Sequence, residues 1–176
     1  KKDHVIFEKS EIVKDDGNPY VVYTPYSRLW KKTITGGHYA SFKSEDEHNW
    51  HQVDVRRLPT LEEVGFEPSD IDFPDRELNE KIVSKYDETR DLPAIKGTSR
   101  MSLHLRFGTV SIRQLAQRAN ELNEKYLNEL IWRDFYQAII WYFPQVVDTN
   151  FNRKYDGVKW RNNEVEFEKW KKGKTG

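Results

Sequence analysis

The sequence predicts a mainly α-helical chain with a short β-containing segment at its start and a long irregular connection before the helices. Three observations predict it. An apolar stripe at helical spacing runs through Leu127–Pro144, and β-prone runs are confined to the first 25 residues. Between 35 and 74, glycines and prolines break every periodic pattern.

Val5–Phe7 and Tyr20–Tyr23 read as short strands around the turn cluster Asp15-Asp16-Gly17-Asn18, and a short helix is expected near Tyr26–Ile34. From Thr35 to Phe73 the pattern is that of a connection. It carries Gly36-Gly37, a charged and histidine-bearing patch over Ser44–Gln52, brief helical turns such as Leu61–Val64, and Pro59, Pro68 and Pro74. Leu78, Ile82, Val83 and Tyr86 then mark a helical face that ends before Pro93, since the residue preceding a proline is driven from the α region. Thr98 or Ser99 can cap a helix running to Phe107, with Gly108 as its stop. Ser111 caps Ile112–Glu121, whose Leu115 and Ala119 face inward. The last helix is expected near Glu164–Lys172.

Length and composition bound the function. A chain of 176 residues is one domain, or one domain with an appendage, and its 36% hydrophobic content suffices for a real core. No run has transmembrane length and no apolar leader opens the chain, so no membrane partner is expected. Without cysteine, disulfides and thiolate metal sites are excluded, and a reducing, cytoplasmic setting is expected. His48 and His51 form H-x-x-H in a polar segment with no carboxylate-rich helix beside it, so no metal site is assigned. The net charge of zero does not favour nucleic-acid binding through bulk electrostatics, though a local basic groove is compatible with it.

The long helix carries the chemistry. Leu127, Leu130, Ile131, Asp134/Phe135, Ala138, Ile139 and Tyr142 make its apolar stripe, and Pro144 ends it. Glu129, Trp132, Arg133 and Tyr136 follow at i, i+3, i+4 and i+7 on a second face. Two readings are open for that face: an ordinary Glu–Arg pair beside core aromatics, or a ligand face. Likewise Gly97-Thr98-Ser99-Arg100-Met101-Ser102 is either a plain N-cap or a phosphate cradle of small hydroxyl residues and free N–H groups. The second hydroxyl, the glycine and Arg100 favour the cradle.

Y-x-x-x-R-D-x-P-x-x-x-G-T-S-R-M-S from Tyr86, N-E-L-I-W-R-D-F-Y from Asn128 and the terminal K-W-K-K-G-K-T-G together resemble the flavin-binding domain of the DNA photolyase/cryptochrome family. The resemblance implies a helical FAD-binding domain, of which 75–176 would be the N-terminal, incomplete part. It makes 35–74 an interdomain linker and 1–34 a remnant of the α/β antenna-chromophore domain, whose strands would be orphans. The antenna pigment would lie outside this chain.

The resemblance assigns Tyr86, Thr98, Ser99, Arg100, Met101, Ser102, Tyr126, Glu129 and Arg133 to FAD. Tyr126 stands where the family often has tryptophan or phenylalanine. Arg90, Glu129, Trp132 and Arg133 would meet UV-damaged DNA, with Trp132 as the stacking platform and Glu129 on the damaged bases. Trp160 would be the outermost tryptophan of the electron path, while Trp30, Trp50, Trp141 and Trp170 are left as packing residues.

The implied activity is that of a carbon–carbon lyase, in which light-driven electron transfer from reduced FAD splits cyclobutane pyrimidine dimers. The alternatives are a cryptochrome-type photoreceptor without repair activity and a cofactor-free helical interaction module. For the 176 residues alone, the expectation is an inactive, colourless chain without FAD that self-associates through exposed apolar faces.

Overall fold

The apolar stripe of the long helix becomes the wall on which the first part of the chain is built. The computed structural model describes residues 4–40, 48, 51, 54 and 57–175. Its helices are α1 (Tyr23–Thr33), α2 (Gly36–Tyr39), α3 (Glu80–Ser84), α4 (Tyr86–Thr89), α5 (Ser102–Phe107), α6 (Ile112–Leu122), α7 (Glu124–Tyr142) and α8 (Glu164–Lys171). Short 3₁₀ turns occupy Pro144–Val147 and Arg153–Tyr155. The chain divides into two compact units, Lys1–Ala138 and Ile139–Gly176. No helix among the described residues is long and apolar enough to cross a membrane.

In the first unit, α7 buries Tyr126, Leu127, Leu130, Ile131, Asp134 and Phe135. Helix α1 brings Tyr26 and Trp30 to it, and the Tyr26 and Phe135 rings meet at 5.2 Å. Helix α6 buries Ile112, Leu115, Ala116 and Ala119 after a start capped by Ser111, whose hydroxyl accepts from the Gln114 N–H. It packs against α2 and α3. Arg118 of α6 pairs with Glu80 of α3, and Asn123 donates to the Ser84 carbonyl at 3.3 Å. Helices α3 and α4 share the expected Leu78–Tyr86 face, with Val83 fully buried. Gly108 ends α5 in the left-handed conformation at φ 66°, and α7 stops at Tyr142, ahead of Pro144. Gly65 closes the turn at Thr60–Gly65, where Leu61–Val64 form turns without a helix.

The expected N-terminal strands are absent. Among the described residues the one β feature is an isolated Val13–Pro19 bridge. Val5–Phe7 finds its partners on helices instead of in a ladder. Arg133 donates to the His4 carbonyl, Arg113 donates to the Val5 carbonyl at 3.3 Å, and the Ile6 N–H donates to Asp134 Oδ2 at 3.3 Å. Ile6 and Phe7 are thereby buried, and Phe7 meets Trp30 edge-on at 5.4 Å. At the second expected strand, Val21 and Val22 are exposed and Val22 is the N-cap of α1, which starts three residues earlier than expected. These segments are not orphan strand edges.

The second unit has no buried residue among those described. Its order comes from polar turns: Asn150 donates to Asp156 at 2.9 Å, and Asn163 caps α8 by accepting from the Glu166 N–H at 3.1 Å. Trp141 and Trp170 are accordingly exposed rather than core residues, because no apolar layer covers them, whereas Trp30 is fully buried. Trp50 and most of Ser44–Gln52 lie outside the described residues; His48 and His51 are exposed.

Asp134 interrupts the apolar stripe because it is a buried acceptor. Its Oδ2 takes the Trp30 indole N–H at 3.2 Å as well as the Ile6 amide. Burial pushes its carboxyl up from 3.8 to about 6, against the pull of Trp30, the Ile6 amide and the Arg133 charge. A carboxyl that holds its proton more tightly when folded contributes stability fully present below the unfolded value of 3.8 and lost as pH rises through about 6. Between pH 7.5 and 5 the gain is about 1.4 kcal/mol for the one unit crossed. Asp134→Asn removes it. Unfolding curves at both pH values should rise in stability toward pH 5 for the parent and lose that increment in the variant; parallel behaviour would contradict the assignment.

Candidate functional site

Two separate arrangements grow from the second face of α7. Glu129 and Arg133 turn toward a cavity of about 1020 Å³, which they line together with Ser99, Met101, Ser102 and Tyr126. Trp132 and Tyr136 instead join an aromatic stack with α1. The expected single face is thus divided, because residues three and four apart on a helix diverge enough to meet different neighbours.

The floor of the cavity depends on how 97–101 is tied down. A Cβ on Gly97 would lie 2.6 Å from the Thr89 carbonyl oxygen, so only glycine lets this loop lie against the end of α4. Thr89 Oγ1 donates to the Gly97 carbonyl at 3.3 Å. Arg100 then takes a left-handed φ of 56° and breaks the helical path. As a result neither Thr98 nor Ser99 caps α5. The N-cap is Met101, with no side-chain cap bond, and the helix begins at Ser102. Freed from capping, Ser99 shares a 2.8 Å hydrogen bond with the Tyr126 hydroxyl, linking the loop to α7. Met101 is buried, while Thr98 and Arg100 are exposed and off the cavity.

Tyr86 reaches the site through Tyr126, their rings meeting edge-on at 5.1 Å. Arg90 sits 5.4 Å over the Tyr86 ring and binds the Glu129 carboxylate. Glu129 therefore pairs with Arg90 from α4's end, not with Arg133 one turn along its own helix. Burial pushes the Tyr126 hydroxyl pKa up, opposed by Ser99, and pushes that of Arg133 down.

Sequence reasoning missed His4, Arg106 and Arg113, which also line the cavity. Arg106 follows Ser102 by four residues and Arg113 lies in the first turn of α6, so helical spacing on either side of Gly108 was the available signal. Three arginines line the space against one carboxylate, Glu129, already engaged by Arg90. With Ser99 and Ser102 as hydroxyl donors, the lining suits an anionic ligand, and Tyr126, Met101 and Leu105 add apolar and aromatic surface. The volume is at the upper end of the roughly 300–1,000 Å³ of small-molecule pockets, as a large dinucleotide cofactor demands. The residues present fit such a group. Among the described residues no histidine–carboxylate cluster suits a metal ion.

Trp132 is half-buried, stacked on Tyr23 with centroids 3.6 Å apart and planes at 5°. Tyr23, which sequence reasoning passed over, is fixed by its own hydroxyl donating to the Asn128 carbonyl at 3.0 Å. Burial and the Glu129 charge push its pKa up to about 12. Trp160, in the second unit, is 74% exposed.

Residues 126–176 match the family model described as the FAD binding domain of DNA photolyase. Over 99% of its length the chain is 28% identical to the deoxyribodipyrimidine photo-lyases of Halobacterium salinarum, Synechococcus sp. and Escherichia coli. It spans 41%, 42% and 41% of those proteins. A bacterial class III photolyase from Agrobacterium tumefaciens has a similar fold, with a TM-score of 0.65 over 97% of this chain and 40% of that one at 22% identity.

The contact at Gly97 has a direct consequence. Gly97→Ala must push the loop off the Thr89 carbonyl, costing about 1–3 kcal/mol as overpacking does. Urea unfolding should register the loss, whereas Gly157→Ala, where a Cβ meets nothing within 4 Å, should stay near the parent.

Proposed function

We propose that this chain, whose residues 126–176 match the FAD binding domain of DNA photolyase and which is 28% identical to deoxyribodipyrimidine photo-lyases over 99% of its length, supplies one wall of the FAD site and the lesion-facing helix of such an enzyme. The observation that carries this reading is the cavity itself. It gathers Ser99, Met101, Ser102, Tyr126, Glu129 and Arg133 from two distant stretches of sequence and surrounds them with further arginines. In this reading Ser99, Ser102 and the arginines hold the cofactor's phosphates, and Tyr126, positioned by Ser99 and Tyr86, packs against its flat parts. Thr98 and Arg100 shape the loop. Bound and reduced FAD supplies the light-driven electron that splits a cyclobutane pyrimidine dimer; the protein groups bind, orient and polarise.

On the DNA side, Arg90 and Arg133 meet the strand, Glu129 the damaged bases, and Trp132 stacks on them. The exposure of Trp160 supports its role as the surface end of an electron path into the flavin. The domain assignment follows the same reading: 1–34 closes an antenna domain, 35–74 links, and 75–176 begins the FAD-binding domain of a cytoplasmic repair protein.

Stacking contributes about 1–3 kcal/mol per base. In the full-length protein, Trp132→Ala should therefore weaken binding to a duplex bearing one thymine dimer by that amount and leave undamaged duplex almost unchanged. Equal weakening on both would make Trp132 a structural residue and count against repair. For the 176 residues alone, one wall encloses too little of the cofactor, since pockets cover about 70–90% of a ligand. An absorbance scan of the purified chain should show no stoichiometric flavin band in the blue. The exposed Trp160, Val165, Phe167 and Trp170 favour self-association of that chain.

A further inference from the structure

Both faces of the Trp132 indole are occupied. Tyr23 lies on one at 3.6 Å and 5°, and Tyr136 is stacked at 5.4 Å and 23°. Two near-parallel rings this close to the indole have no room side by side on one face, so they lie on opposite faces. Phe135 closes an edge at 5.6 Å and 77°. A base cannot stack on Trp132 while both tyrosines stay in place.

The two tyrosines differ in how firmly they are held. Tyr23 is half-buried, is the first residue of α1, meets Phe135 at 5.9 Å and donates its hydroxyl to the Asn128 carbonyl. Displacing it would break that hydrogen bond and disturb the start of the helix that carries Tyr26 and Trp30 into the core. Tyr136 is 56% exposed, meets Phe135 at 5.6 Å, and among the described residues has no hydroxyl anchor of the kind that holds Tyr23. It sits one turn beyond Trp132 on the same helix, so a single side-chain rotation uncovers the outer indole face without moving backbone.

We propose that Tyr136 is a gate on the stacking site: it covers the outer face of Trp132 in the free protein and yields that face to a flipped pyrimidine base, while Tyr23 backs the inner face. This rests on the reading of Trp132 as the base platform. The gate acts on dimer binding alone, because a base still in its helix cannot reach the face and an undamaged duplex leaves Tyr136 in place. A flipped base replaces one aromatic stack with another, so Tyr136 competes with it for the outer face.

The test is equilibrium binding of the full-length protein to a duplex with one thymine dimer and to the same duplex undamaged. Tyr136→Ala should tighten binding to the dimer duplex about 2- to 12-fold, the change expected from removing an aromatic pair of ordinary strength that competes with the ligand. Tyr136→Phe, which keeps the ring, should bind like the parent. Tyr23→Ala should weaken dimer binding, giving the two tyrosines opposite signs. Weaker or unchanged dimer binding by Tyr136→Ala overturns the gate. Unchanged binding by Trp132→Ala instead overturns the platform reading and the gate with it, so the two failures are told apart by which variant reports them.

Discussion

The buried carboxylate of Asp134 is the interaction on which the first unit depends. One oxygen accepts from the Ile6 amide and the Trp30 indole, groups 128 and 104 residues away along the chain. A carboxylate buried with Ile131, Phe135 and Tyr26 is costly, and only Oδ2 offsets that cost by binding two otherwise unconnected segments to α7, while Oδ1 is buried without a hydrogen-bond partner. Arg133 and Arg113 extend the same grip to the His4 and Val5 carbonyls. Because His4 also lines the cavity, the segment held by Asp134 is at once core and pocket wall.

That arrangement explains which parts of the fold were legible in the sequence. Helices α6 and α7 were readable because their information is local: an apolar period, a Ser111 cap, a Pro144 stop. Gly108 was readable for the same reason. Val5–Phe7 was not, since an extended apolar tripeptide has the same pattern whether a neighbouring strand or a distant side chain satisfies its amides. The start of α5 was misplaced because two good N-cap residues precede an Arg100 whose left-handed backbone no propensity anticipates. What draws Ser99 away from capping is the hydroxyl of Tyr126, 27 residues later.

The candidate site was legible in its membership more than in its connections. Six expected residues do meet around one cavity, since the motifs that carry them lie on the loop before α5 with its first residue and on about two turns of α7. Their pairing was not legible. The i, i+4 rule joins Glu129 to Arg133, yet Arg90 outcompetes it because Arg133 is drawn into the grip on the N-terminal segment. Arg106 and Arg113 were overlooked for want of a motif, although an anion site needs its charge from somewhere.

Glu129 is where the cavity and the aromatic stack become one system. Burial and, second to it, the Glu129 charge raise the pKa of Tyr86 on the cavity side and that of Tyr23 against Trp132 on the other. Arg90 offsets that charge while resting on the Tyr86 ring. The pair is about two-thirds buried, so its field is screened less than that of a surface ion pair and reaches both aromatic groups. One charge on α7 is thus shared by the cavity lining and the rings around Trp132, with Arg90 offsetting it from the end of α4.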